Sequence, residues 1–335
     1  MLTLAERVGS HGQSTTTSVL GLRYPKQMRI LIVGAGALGG YFGARLLHAG
    51  RDVTFLVRPQ RAQQLAAEGL RVLSPKGNLS IDKPPMVQAE ELRGPYDLIL
   101  LSCKAYDLVS AMDSFAPAVG PDTAILPLLN GLGHMATLDA RFGRRHVLGG
   151  LSNISAVRLP DGSIEHLGTL DHLFFGDRDQ PSSDRVQRIA ASLGHSDFDA
   201  RLRRNILQDM WDKWVTIATG AGITCLMRAP IGDIVSAGAV PLVLQLLDEC
   251  AAIAAREGFP LSQATFDRIE SVFTEPGSLY TTSMLRDLEA GAAIEAHQIL
   301  GDLLDHARRG QVATPLLVIA HFHVSCYEER RKREA

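Results

Sequence analysis

The sequence predicts an α/β chain in two parts, a doubly wound parallel sheet followed by an all-α domain. Short apolar runs alternate with amphipathic stretches up to about residue 145, the strand–helix–strand order of a parallel sheet. From about residue 203 the chain reads as one helix after another. Between the first strand and the first helix stands the turn Gly34-Ala35-Gly36-Ala37-Leu38-Gly39.

The first strand is Met28-Arg-Ile-Leu-Ile-Val33, an apolar run ending in Gly and suited to a buried parallel strand. The helix after it puts Leu38, Phe42, Leu46 and Leu47 on one face and stops at Gly50. Val53–Val57 is a second strand, 61–70 a short helix, and Tyr96–Ser102 a buried strand. A helix over 105–115 and a strand over 123–129 continue the alternation. Shorter strands are expected over 147–158, 163–167 and 172–175, extending the same sheet. The helix candidates are 204–219, 239–257, 261–273, 282–290, 295–309 and 315–332, the last opened by Thr314-Pro315. The domain boundary is placed near 195–203, giving a dinucleotide-binding domain over 28–200 and a helical domain over 201–332.

Composition narrows the class. A chain of 335 residues, 46% hydrophobic and 21% charged, has the make-up of a globular enzyme with two cores. The formal net charge of −2 gives no reason to expect nucleic acid or an anionic membrane as partner. Cys103, Cys225, Cys250 and Cys326 are scattered and read as reduced thiols of a cytoplasmic protein. No metal-ligand spacing stands out; His321 and His323 are two apart and point to different helix faces. No apolar run is long enough to span a bilayer. Residues 1–27 are polar and Ser/Thr-rich, and read as a disordered extension ahead of a natural start at Met28.

The glycine turn carries the most chemistry. In a dinucleotide fingerprint the first glycine permits the tight turn, the second lets the backbone approach a pyrophosphate, and the third lets helix and strand pack closely. Gly34, Gly36 and Gly39 hold these places, and the following helix offers free N–H groups. Where an NAD site usually ends its second strand with an acid, this chain has Val57-Arg58, with Arg61 one turn further on. An arginine suits a 2′-phosphate, so Arg58 points to NADPH; the plain alternative is a solvated loop cation.

Five segments then occur in order: the turn 34–39, Ser102-Cys-Lys104-Ala-Tyr, Asn130-Gly-Leu-Gly, Trp211-Asp-Lys213, and Ser283-Met-Leu-Arg-Asp with Glu295 beyond it. Together they resemble the ketopantoate reductase (2-dehydropantoate 2-reductase) family over roughly 28–330. The resemblance implies an NADPH-dependent reductase of the CH–OH/keto couple acting on a small 2-oxo acid, 2-dehydropantoate to pantoate in pantothenate biosynthesis. It makes the helical domain a substrate and dimerisation unit and allows for a homodimer. It implies that Ala35, Ala37 and Leu38 of the turn, Lys104, Asn130, Ala156 and Glu295 bind cofactor, that Lys213 is the catalytic proton donor and also meets substrate, and that Ser283 holds the substrate carboxylate.

Each residue also has a plainer reading. Lys104 is equally a surface lysine, Asn130-Gly131 a turn, Glu295 an acid at a helix start, and Ser283 an N-cap. Asp209 and Lys213 have the spacing of an exposed ion pair, although the helix carrying them includes Met210, Trp211, Trp214 and Val215.

The substrate side departs from the family. Asparagines expected after the lysine are Ile217 and Ala221, others are Ile231 and Tyr280, and an Asn-Gly pair is Leu300-Gly301. A site built to bind a hydroxyl discriminates through such bonds. Two alternatives therefore stand beside 2-dehydropantoate reduction: a more apolar 2-keto acid on the same scaffold, or a non-catalytic NADPH-binding protein.

Overall fold

A computed structural model describes residues 27–334. The expected extension lies outside the described residues, apart from Gln27. In chain order the strands are β1 (Arg29–Val33), β2 (Asp52–Leu56), β3 (Leu70–Leu73), β4 (Leu79–Ile81), β5 (Met86–Val87), β6 (Leu98–Leu101), β7 (Ala124–Pro127), β8 (Gly149–Arg158), β9 (Ile164–Gly176) and β10 (Asp199–Leu202).

Two sheets form. The first is wholly parallel with order β5-β2-β1-β6-β7. Its apolar strands are covered on both faces, as parallel strands require. The second sheet has order β10-β9-β3-β4, with β8 antiparallel to β9. The segments over 147–158 and beyond were expected to extend the first sheet, and here the structure differs. Only one bridge, Ile125 to Val147, joins that stretch to β7. The two runs over 163–167 and 172–175 are one strand, because β8 pairs with both, at 164–166 and 171–176, and the exposed residues between bulge out of the ladder.

Helix α1 (Ala37–His48) lies between the sheets. Its glycines make the fit: a Cβ at Gly43 would collide with the Phe55 ring of the first sheet, and one at Gly40 with Ile164 of the second. Helices α2 (Pro59–Glu68), α3 (Leu108–Phe115), α4 (Gly133–Phe142) and α5 (Asp184–Leu193) complete this half.

The C-terminal half is helical from Ile206: α6 (Ile206–Met227), α7 (Ile231–Ser236), α8 (Val240–Arg256), α9 (Gln263–Phe273), α10 (Ser283–Glu289), a π turn over His297–Gly301, α11 (Asp302–Gly310) and α12 (Pro315–Glu334). Helix α6 outruns its expected end at 219. Gly220 and Gly222 do not break it because they admit Phe273 and Leu246 against its backbone. It stops at Arg228, which is left-handed at φ 54°, ahead of Pro230. Trp214 at the centre of this core is fully buried and donates its indole N–H to the Ile299 carbonyl at 2.9 Å. Among the described residues no helix is long and apolar enough to cross a membrane.

Candidate active site

Strand β1 lies between β2 and β6, so the chain reverses direction across the sheet there, and ligands of such sheets bind outside the carboxyl ends of the strands at that point. The residues following β1, β2, β6 and β7 all line one cleft of ≈ 2470 Å³. That exceeds the roughly 300–1,000 Å³ of a single small-molecule pocket, leaving room for a dinucleotide and a second molecule. The facing wall comes from α6, from 280–287 and from Glu295.

The glycine turn forms the floor. Gly34 has φ +92°, a conformation that favours glycine. At Gly39 a Cβ would run into the Gly34 carbonyl and the Ser102 hydroxyl. Ser102 staples the turn, its Oγ donating to the carbonyls of Val33 at 2.9 Å and Gly34 at 3.1 Å. Gly36 lines the cleft, and a Cβ there would meet no protein atom within 4 Å. It is also the N-cap of α1, with no side chain capping the helix N–H groups. Bare backbone at a helix N-terminus fits the pyrophosphate of a dinucleotide.

Arg58 is exposed at the end of β2 and caps α2. Its Nη2 donates to Asp107 Oδ1 at 2.7 Å and to Ser110 Oγ at 3.2 Å. Ala156 lies on β8 opposite His166, just after a break in the register of the ladder, and lines the cleft.

Glu295 sits where the halves meet. It is 7% exposed and immediately precedes the helix that begins at Ala296. Its carboxylate faces Lys104 Nζ at 3.4 Å, Ala105 N at 3.4 Å and Asn130 Nδ2 at 3.4 Å. Lys104 also reaches Asp287 on α10 at 3.3 Å. Burial disfavours charge on Lys104, but Glu295 and Asp287 outweigh it and hold its pKa above the usual value.

Lys213 behaves in the opposite way. It is half-buried on α6, and Nζ donates to the Ser152 carbonyl of β8 at 2.9 Å. Burial pushes its pKa down from 10.5 to about 8, with Glu295 alone pulling it back up. The exposed-pair reading fails here, because Asp209 is taken by Arg203, through bonds of 2.7 and 2.9 Å. Ile217 and Ala221 follow Lys213 at one-turn intervals and line the cleft with Tyr280 and Ile299. His134, buried on α4, is kept neutral, its pKa pushed down to about 3 by burial and then by the charges of Lys213 and Arg178.

Ser283 is exposed at the first position of α10. The cap is Thr282, whose Oγ1 accepts from Leu285 N at 3.3 Å, so the N-cap reading of Ser283 does not hold. Ile231 is fully buried in the helical core, and Leu300 is buried there too. Sequence reasoning missed the Ser152 carbonyl, a backbone group with no signature of its own. It also passed over Asp287, although that residue ends the Ser283 segment. Arg268 and Arg286 line the same wall and were unassigned.

The family model for ketopantoate reductase PanE/ApbA matches residues 30–180, and the model for its C-terminal part matches 205–324. The chain belongs to the ketopantoate reductase family. It is an oxidoreductase of the CH–OH group, in a family whose members depend on NAD(P)H. The uncharacterized oxidoreductase YkpB of Bacillus subtilis is 33% identical over 305 residues, covering 91% of this chain and 100% of its own. The crystal structure of a 2-dehydropantoate 2-reductase from Geobacter metallireducens superposes with a TM-score of 0.81 at 29% identity, covering 89% of this chain and 99% of that one. A D-mandelate dehydrogenase solved with NADH and anilino(oxo)acetate also has a TM-score of 0.81, over 91% of this chain and 100% of its own, and at 24% identity shares the fold.

Proposed function

We propose that this ketopantoate reductase family member reduces a small 2-oxo acid with NADPH, 2-dehydropantoate to pantoate being the first substrate to test. The observation that carries the reading is Lys213: a lysine with its pKa near 8, held to a backbone carbonyl in the same cleft as a dinucleotide turn.

The dinucleotide, when bound, supplies the hydride for the ketone carbon. Gly36 and the N-terminus of α1 bind its pyrophosphate, and Arg58 is available to a 2′-phosphate at the rim by exchanging its bond to Asp107. Ala35, Ala37 and Leu38 frame the turn, while Lys104, Asn130, Ala156 and Glu295 border the cofactor further in. Lys213 donates a hydrogen bond to the keto oxygen and gives up its proton as charge develops there, leaving a neutral amine and the alcohol product. Its lowered pKa makes that transfer easy near neutral pH. Ser283 with the first turn of α10 receives the carboxylate. On this reading 28–200 binds cofactor, with Glu295 reaching it from the other half, and 201–332 binds substrate.

A second substrate reading has its own support. Ile217, Ala221, Tyr280 and Ile299 form an apolar wall beside Lys213, which suits a 2-keto acid with an apolar side chain better than a hydroxylated one. NADPH oxidation measured against a panel of 2-keto acids, 2-dehydropantoate included, tests both. Turnover with 2-dehydropantoate alone sustains the first, and preference for branched or aromatic keto acids sustains the second. No turnover with any, despite tight NADPH binding, refutes the reductase reading. The cofactor choice is tested separately: if Arg58→Ala leaves the NADPH/NADH preference unchanged, Arg58 is not its source.

A further inference from the structure

Arg61, in the first turn of α2, is a cation with work left undone. It is 8% exposed and lines the cleft beside the glycine turn. Nε donates to the Ala35 carbonyl at 3.0 Å and Nη1 to Gln64 Oε1 at 2.6 Å, whereas Nη2 is buried without an acceptor. Both acceptors are neutral. Arg58, three residues earlier, has its charge met by Asp107 at 2.7 Å. The charged neighbour that weighs most on Arg61 is Arg158, also on the cleft wall; burial first and then that cation depress the Arg61 pKa.

Glu68 is the one acid that acts on Arg61, and it neither bonds the guanidinium nor offsets burial and Arg158; a buried guanidinium without a bonded carboxylate is costly, and an idle buried N–H adds its own desolvation penalty. An anion in the cleft meets the charge, and a small turn of the side chain toward the cleft brings the idle N–H to it; a planar fork suits phosphate oxygens. We infer that Arg61 is a phosphate-binding residue of this cleft, its charge neutralised by a phosphate of the dinucleotide instead of by a carboxylate of the chain. The inference rests on the dinucleotide reading of the cleft and adds to it: the turn is held from below by a charged group that also serves the ligand. The phosphate met is the pyrophosphate or the 2′-phosphate.

Calorimetric titration of the full chain with ADP and with adenosine 2′,5′-bisphosphate tests this without turnover. The variants are Arg61→Met and Arg61→Lys, with Arg61→Gln in place of the Met variant if that does not fold. Losing a charge-assisted bond is expected to weaken at least one probe about tenfold or more, with Lys restoring affinity to within about threefold of the native chain. Loss on both probes marks the pyrophosphate, and loss on the bisphosphate alone marks the 2′-phosphate. The inference is overturned if the neutral variant stays within about threefold on both probes. It is equally overturned if Lys fails as fully as Met, because then only the fork to Ala35 and Gln64 matters. A native chain that binds neither probe brings down the dinucleotide reading itself, and the inference with it.

Discussion

Replacing Lys213 by Met should make the protein more stable and inactive. Met keeps the unbranched chain and removes the charge. The fall in the Lys213 pKa from 10.5 to about 8, at about 1.4 kcal/mol per pH unit, corresponds to ~3 kcal/mol of cost for holding the ammonium in the folded state. Against this, Met leaves the Ser152 carbonyl without its donor, a loss of about 1 kcal/mol. The net gain at pH 7 is therefore ~2 kcal/mol. The sign with pH follows from the direction of the shift. Between about 8 and 10.5 the unfolded chain binds a proton that the folded chain has released, so the native protein gains stability as pH rises. The advantage of the Met variant is thus full below about 8, is lost before the unfolded value of 10.5 is reached, and gives way there to the ~1 kcal/mol deficit of the missing bond. Urea denaturation of both proteins at pH 7 and again near the top of that window measures it, and titrations common to both cancel in the difference. A Met variant less stable than native at pH 7, or a difference that does not shrink with rising pH, refutes the claim that the amine sits in its place at a cost.

The pH–rate profile of keto-acid reduction should fall as pH rises through about 8, the Lys213 value, since the donor must be protonated. In Glu295→Gln that limb should move to lower pH, because Glu295 is the group that raises the Lys213 pKa; a limb that stays in place removes the coupling. Gly39→Ala should cost about 1–3 kcal/mol and abolish dinucleotide binding, since the turn must shift away from the new methyl group. A variant with native Tm and native cofactor affinity would show that the close contact is dispensable.

What the sequence revealed follows how local the chemistry is. β1, the glycine turn and α1 are legible because an apolar run, a glycine spacing and a helix face are all written within about twenty residues. The second sheet was not. β3 and β4 are short, and β3 pairs with β9 through Val72 and Ile164, a contact no window of sequence contains. Lys213 shows the same limit inside the site. Its neighbour at i−4 advertises an ion pair, and only the fold shows Arg203 capturing that acid and β8 supplying a carbonyl to the lysine. The five segments that carried the family resemblance were individually weak, but they converge because four of them lie at strand ends or on α6, facing one cleft.

The wedging of α1 between two sheets has a consequence for how the nucleotide site can change. Ser102 ties down the turn at the head of that helix, and the helix behind it leaves no room for a Cβ at Gly43 beside Phe55 or at Gly40 beside Ile164. A Cβ at position 39, 40 or 43 would meet residues of β1, β2 and β9 and of the loops after β1 and β6. Arg58, proposed to meet the 2′-phosphate, stands on the rim with most of its side chain in solvent. On the proposed reading the dinucleotide is held by closely packed backbone at one place and by an exposed side chain at another. On that reading, redirecting the protein from one nicotinamide cofactor to another calls for changes around Arg58, where the chain can absorb them, and none at Gly39, where a side chain would meet the Gly34 carbonyl and Ser102.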